Sequence, residues 1–279
     1  MLFGLLLQKR CIVLTMDKTV VPCNTNILAS LSGVSTILFD LGGTLWSPFG
    51  TKTRDEVLES AIAGLIKDLK VTTGRDVSGE DVEIGIVNLL FGLGRKNSGE
   101  YEPSLEDAAL QEVDLQGVIG QFLSSERICL SEEKVSDLTD RFADSLSKYY
   151  LLYPETLTVL STLKRRGYNI GIVSNTAMPP NVIDRYLAAS GIINYIDFRV
   201  LSSEVGWRKP HKRIYKEALR MAHAEPREVV FIGDRVLEDT FGPSLMGMRP
   251  ILVRREFSCD EGSFDEYHGL YVCSLEELI

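Results

Sequence analysis

Val34-Ser-Thr-Ile-Leu-Phe-Asp40-Leu-Gly-Gly-Thr44 is a run of β-branched and aromatic residues that ends on an acid and breaks into paired glycines. A run that is apolar without alternation and stopped by turn residues reads as a strand buried on both faces, followed by a tight turn. Outward from it the same cycle repeats. Tyr168-Asn-Ile-Gly-Ile-Val-Ser174 is a second such strand. Before it lies an amphipathic segment from Pro154 to Arg166, in which Leu157, Leu160 and Leu163 recur at helical spacing and Gly167 supplies the stop. A helical segment follows Pro180, a strand spans Phe198 to Ser202, and a helix runs from Pro210, at its first position, to Ala222. Val229-Val-Phe-Ile-Gly233 is another strand, and two short apolar runs, Pro250-Ile-Leu-Val253 and Leu270-Tyr-Val272, close the series. Helices alternating with continuous apolar strands predict an α/β fold with a parallel sheet covered on both faces.

Residues 51–150 break this rhythm. Strand-like runs vanish and helical faces take over, marked by Val57, Ile62, Leu65, Ile66 and Leu69 and again by Leu138, Phe142, Leu146 and Tyr150. We read residues 33–50 and 151–279 as one core domain and 51–150 as an inserted helical module, with Arg95 and Lys96 in a basic loop of the insert. Residues 1–32 form an extension to which no element is assigned. The short apolar run at its start lacks a preceding basic segment and is cut off by Lys9 and Arg10, so it makes a poor signal peptide. A spanning helix needs roughly 20 apolar residues, and no stretch supplies them, so no membrane partner is expected.

A chain of 279 residues, 44% hydrophobic and 25% charged, can bury a sizeable core and has room for two modules. A net charge of −9 works against a nucleic-acid partner, whose phosphates would need clustered Lys and Arg. Cys11, Cys23, Cys129, Cys259 and Cys273 are scattered without a C-x-x-C pair, which fits reduced thiols in a cytoplasmic protein. His211, His223 and His268 show no metal-ligand spacing. Oligomeric state is left open.

In an open α/β sheet, ligands bind beyond the carboxyl ends of the strands. There the sequence places Asp40 after the first core strand, Ser174 and Asn175 after the second, and Gly233-Asp234 after the fourth, with Lys209 ahead of a helix. Carboxylates, a hydroxyl and an ammonium would meet at one edge. Trp46, Trp207 and Arg235 stand close in sequence, and packing or a surface ion pair explains them as well as substrate contact does.

These residues also form a known pattern. Asp40-Leu-Gly-Gly-Thr-Leu45 resembles the first motif of the haloacid dehalogenase superfamily, Val173-Ser174-Asn175 the second, Gly206-Trp-Arg-Lys209-Pro210 the third and Gly233-Asp234-Arg-Val-Leu-Glu-Asp239 the fourth. All four occur in the family's order, with the helical segment between the first and second. The resemblance implies a Rossmann-like core with a helical cap, and a phosphatase acting on a small phosphorylated metabolite. It casts Asp40 as the nucleophile that becomes an aspartyl phosphate, and Mg²⁺ as the cofactor, held by Asp40, the carbonyl of Gly42 and Asp234. Asp239 would be a further ligand through water or an anchor for Lys209. Thr44, Ser174, backbone amides near Asn175, and Lys209 would hold the phosphoryl group, Lys209 also neutralising the nucleophile. A carboxylate approaching a phosphate dianion needs such cations.

One position departs from the pattern. The family's phosphatases usually carry a second Asp two residues after the nucleophile as general acid and base, where this chain has Gly42. Such help is typically worth ~10²–10⁴ in rate, so a slow enzyme, a good leaving group or a base from the insert is expected. Relatives that cleave carbon–halogen or carbon–phosphorus bonds also lack that Asp. The former need no metal and depart from the fourth motif; the latter need a Schiff-base lysine, for which Lys52, Lys67, Lys70 and Lys96 are equal candidates. A phosphate- or metal-binding interaction module without turnover is the non-enzymatic alternative.

Overall fold

The computed structural model describes residues 13–14, 20–21, 27–87, 108–255 and 269–279. In chain order its strands are β1 (Val13–Leu14), β2 (Val20–Val21), β3 (Thr36–Phe39), β4 (Trp46–Ser47), β5 (Leu151–Leu152), β6 (Asn169–Ser174), β7 (Phe198–Leu201), β8 (Val229–Gly233), β9 (Arg249–Val253) and β10 (Tyr271–Val272). Six of them form one parallel sheet in the order β10-β9-β8-β3-β6-β7. The α/β expectation is met, and the reason lies in the strand sequences. Every residue of β3 and of β8 is buried, and their side chains alternate between two clusters. Ile37, Phe39, Val230 and Ile232 face one layer, while Leu38, Val229 and Phe231 pack with Ile214 and Tyr215 of the helix Lys212–Ala222 on the other. At about 1.5–3 kcal/mol for each large apolar side chain, only helices on both faces make such strands favourable.

The strand order sets the site. From β3 the chain proceeds to β6 and β7 on one side and later to β8, β9 and β10 on the other, so the direction of winding reverses beside β3. Helices leave to opposite faces there, and a crevice opens at the carboxyl ends of the strands. β3 and β8 are in register, Phe39 opposite Ile232, and the Asp40 amide donates to the Ile232 carbonyl at 2.9 Å. Asp40 and the Gly233-Asp234 pair therefore emerge side by side.

The segment between β4 and β5 contains the helices Arg54–Thr73, Leu115–Ser125 and Glu132–Ser147 among its described parts. The first opens with a capping box between Thr53 and Glu56 and buries Val57, Ala61, Leu65 and Leu69; the third buries Leu138, Phe142 and Leu146. The loop holding Arg95 and Lys96 lies outside the described residues, as do Cys11, Cys23, Cys259 and His268. β4 and β5 pair antiparallel, Trp46 opposite Leu152, a ribbon too short to show in sequence periodicity. Trp46 stacks on Tyr150 at 5.1 Å and meets Tyr186 of the helix Pro180–Ala189 edge-on at 4.8 Å. This packing accounts for Trp46 and Tyr150 as core residues.

Two expectations change. Within residues 1–32, β1 pairs with β2, and a helical turn at Ile27–Ser30 buries Ile27 and Leu28 in the main core cluster. Pro210 is not the first helical residue: the helix starts at Lys212 and is capped by His211, whose Nδ1 accepts from the Arg213 amide at 3.2 Å. The ring nitrogen supplies the cap, and Pro210 lies in the turn that carries Lys209. Among the described residues, no helix is long and apolar enough to cross a membrane.

Candidate active site

Asp40, Asp234 and Asp239 offer carboxylate oxygens that lie within 4.8 Å of one another. Lys209, the one buried lysine among the described residues, sits inside this cluster. Its Nζ donates to Asp40 Oδ1 at 2.7 Å, to Asp239 Oδ1 at 2.7 Å and to the Val173 carbonyl at 2.9 Å, so all three of its protons are used. Asp239 is fully buried, and its second oxygen accepts from the Arg235 amide at 3.0 Å. Each Asp239 oxygen thus accepts a hydrogen bond, one from Lys209 and one from the Arg235 amide.

Close approach of these groups depends on two glycines. A Cβ at Gly43, which has φ +82°, would lie 2.5 Å from Asp234 Cγ and nearer still to Oδ2. A Cβ at Gly233 would lie 2.5 Å from the Asp239 Cβ. Gly42 is different: a Cβ there would meet only Trp46 Nε1, at 4.0 Å.

The electrostatics follow from burial. Removing Asp40 from water raises its carboxyl to about 6, against the pull of Lys209 and with the push of Asp239. Asp234 is raised well above the usual carboxylate range, first by burial and then by Asp40 and Asp239. Burial pulls the Lys209 ammonium down, but the carboxylates of Asp239 and Asp40 outweigh it and hold the charge beyond the ordinary lysine value. One ammonium cannot balance three carboxylates. Moreover, Asp234 Oδ1 is buried without a hydrogen-bond partner, and so is Thr44 Oγ1. A buried carboxylate oxygen left unpaired costs several kcal/mol. A hard divalent cation, which takes oxygen ligands, fits this donor set.

The remaining site residues were only partly legible. Ser174 is buried at the end of β6, as expected. The side chain of Asn175 faces Lys209: its Oδ1 accepts from the Lys209 amide at 2.6 Å and its Nδ2 donates to the Lys209 carbonyl at 3.0 Å. It clamps the lysine's backbone, a side-chain role that sequence reading did not foresee. Arg255 was also missed. It donates to the carbonyls of Gly43 at 3.2 Å and Thr44 at 2.9 Å, pairs with Glu155 at 2.7 Å and lies 3.5 Å over the Tyr153 ring. Its place just past the end of β9 was the available signal. Trp207 stacks on His211 at 4.0 Å, and Arg235 pairs with Glu238 at 3.4 Å near the surface.

An acid from each of two adjacent strand ends, a lysine between acids, a glycine turn that admits the second acid, and Ser174 and Asn175 at the end of the strand beside the first bring residues of all four motifs to one edge of the sheet. Residues 34–240 match the family described as haloacid dehalogenase-like hydrolase. The chain belongs to that family. Residues 206–277 also match a second description, HAD-hydrolase-like. Over 135 residues the chain is 36% identical to the glyceraldehyde 3-phosphate phosphatase of Methanothermobacter thermautotrophicus, covering 47% of this chain and 58% of that enzyme. That match thus spans less than two thirds of the relative. The glyceraldehyde 3-phosphate phosphatase of Methanocaldococcus jannaschii is 26% identical over 245 residues, 87% of this chain and 94% of the other. Among solved structures, 2-haloacid dehalogenase from Pseudomonas syringae superposes with a TM-score of 0.59 at 20% identity, over 88% of this chain and 96% of that one. This last likeness concerns the fold alone, since one fold serves many chemistries.

Proposed function

We propose that this hydrolase is a cytoplasmic, Mg²⁺-dependent phosphatase acting on a small phosphorylated metabolite through an aspartyl phosphate on Asp40. The observation that carries the reading is the cluster of three carboxylates, Asp40 and Asp239 buried and Asp234 half-buried, with Lys209 shared between the first two and a buried oxygen of the third unpaired. The phosphatase names of the relatives point the same way.

Asp40, Asp234 and the Gly42 carbonyl would hold Mg²⁺, with Asp239 fixing Lys209. The bound ion would supply positive charge that lowers the repulsion between carboxylate and phosphate. Lys209 fixes the rotation of the Asp40 carboxylate through Oδ1 and neutralises charge as the phosphoryl group arrives. The bond from an Asp40 oxygen to phosphorus forms as the bond to the leaving oxygen breaks. The electron pair stays on that oxygen, which takes a proton from water. A water molecule then attacks the phosphoryl group, restoring the carboxylate and releasing orthophosphate. Thr44 Oγ1 and Ser174 would donate to the non-bridging oxygens. Residues 51–150 would act as the cap that excludes water during attack.

Carbon–halogen chemistry has no use for the unpaired Asp234 oxygen. The phosphonate alternative needs a free amine, and Lys209 is held as an ammonium; of the other candidates Lys52, Lys67 and Lys70 are exposed, and Lys96 lies outside the described residues. The test is a screen of phosphate esters with and without Mg²⁺, on wild type and Asp40→Asn. Phosphate release should require the metal and fall at least ~10³-fold in the variant. Turnover that survives Asp40→Asn removes the proposed nucleophile.

A further inference from the structure

One acid of the segment between β4 and β5, its side chain buried, has no part in the site described above, yet it touches the loop that carries Lys209. After a 3₁₀ turn at Ala108–Leu110, the chain lies against residues 206–208. Gln111 bridges antiparallel to Trp207, the Arg208 amide donates to the Leu110 carbonyl at 2.8 Å, and the Glu112 amide donates to the Gly206 carbonyl at 2.9 Å. The Glu112 side chain, 2% exposed, is saturated: it accepts from Arg208 Nη1 at 2.7 Å, from the Val113 amide at 2.8 Å and from the Ser202 hydroxyl. Ser202 is itself fully buried and accepts from the Thr176 amide at 2.7 Å.

These bonds form a closed frame around the lysine. Asn175 grips the Lys209 backbone from the loop after β6, and Thr176, its neighbour, grips Ser202 in the loop after β7. Glu112 ties Ser202 to Arg208, the residue before Lys209. Without Glu112, the frame is open on the side where the inserted segment docks. A charged acceptor is hard to replace here, because charge-assisted bonds are about twice as strong as neutral ones and Arg208 and Ser202 would lose a shared partner.

We propose that Glu112 is a positioning residue: by fastening the segment 108–113 to Ser202 and Arg208, it holds the 206–209 loop so that the Lys209 ammonium stays between Asp40 and Asp239. Docking of the inserted segment is thereby felt at the lysine without any contact between Glu112 and substrate. The kinetic part of this inference rests on the phosphatase reading; the structural part does not.

The test uses the full chain as wild type, Glu112→Ala, Glu112→Gln and Ser202→Ala, with p-nitrophenyl phosphate and Mg²⁺, and amide hydrogen exchange without substrate. Because a shift near 1 Å in a reacting group can cost about 100-fold, we expect kcat to fall about tenfold or more in Glu112→Ala and less in Glu112→Gln, with KM changed under about threefold. Exchange at the Arg208 and Lys209 amides should quicken at least about tenfold while that of Val229–Gly233 stays unchanged. If Glu112→Ala does not fold, Glu112→Gln and Ser202→Ala carry the test. Unchanged exchange at 208 and 209, equal acceleration throughout the sheet, or full kcat with a lowered Tm each overturn the proposal. If wild type releases no phosphate from this ester, the phosphatase reading is what fails, and the exchange experiment decides the role of Glu112 alone.

Discussion

Replacing Gly43 by alanine isolates the geometric demand of the acid cluster. The new Cβ would stand 2.5 Å from Asp234 Cγ, against the 3.4–4 Å of ordinary contact, so the carboxylate must retreat by about 1 Å. The φ of +82° adds about 1 kcal/mol of backbone strain, as left-handed conformations do for residues with a Cβ. The two costs are separable. Gly167, with φ +85° and nothing within 4 Å of its Cβ, would suffer the strain without the collision. Both Gly43→Ala and Gly167→Ala should therefore lose stability in urea, by about 1 kcal/mol or somewhat more. Only Gly43→Ala should lose function: ligand positions in metal sites are set to within about 0.2 Å, and a 1 Å misplacement costs about 100-fold in rate. The assay is phosphate release titrated with Mg²⁺, where the variant should need at least about tenfold more metal at its midpoint. An unchanged midpoint in folded Gly43→Ala would refute the claim that this turn exists to admit Asp234 to a cation.

Two further outcomes follow from the same cluster. The space over Gly42 is open, with Trp46 Nε1 the nearest atom at 4.0 Å, so Gly42→Asp should fold and supply the missing proton donor. It should accelerate alkyl phosphates by ~10²-fold or more and aryl phosphates far less, and equal effects on both would dismiss the leaving-group account. The second concerns pH. Asp40 is raised to about 6 and Asp234 is raised as well, so the metal-free fold binds protons more tightly than the unfolded chain. Their contribution is therefore fully present below the ordinary carboxylate range; that of Asp40 is lost as pH climbs through about 6, and that of Asp234 as pH climbs through its own raised value. Mg²⁺ binds the deprotonated cluster, so the rise in Tm it causes should be larger at pH 8 than at pH 5; an equal rise at both would place the ion elsewhere.

Local signals carried far in this chain, and they failed where the decisive partner is distant. β6 and β8 were readable because central strands buried on both faces have little freedom in composition. Asp40 and Asp234 were readable as neighbours because each follows a strand end, where α/β sheets place ligands, whereas Lys209 and Asp239 stood out through their place in the motif pattern. The side-chain role of Asn175 was not legible because its bond to Lys209 spans 34 positions, and nothing near it announces the clamp. Glu112 lies in a polar stretch, where an acid is ordinarily solvated; only the fold reveals its side chain to be buried. Ile27 and Leu28 form an apolar pair too brief for any period to register, yet the core closes over them.

The paired strands Trp46–Ser47 and Leu151–Leu152 bring residues 48 and 150 to within about one strand spacing of each other. To the parallel sheet, everything between is a loop whose ends already touch. Because doubling a loop adds only about 0.6 kcal/mol of closure entropy, pieces of quite different length can leave and re-enter at this junction at little cost in closure. The chain thus leaves the neighbourhood of β3 and returns to it at one point, so the register of the parallel sheet does not depend on how much chain lies between.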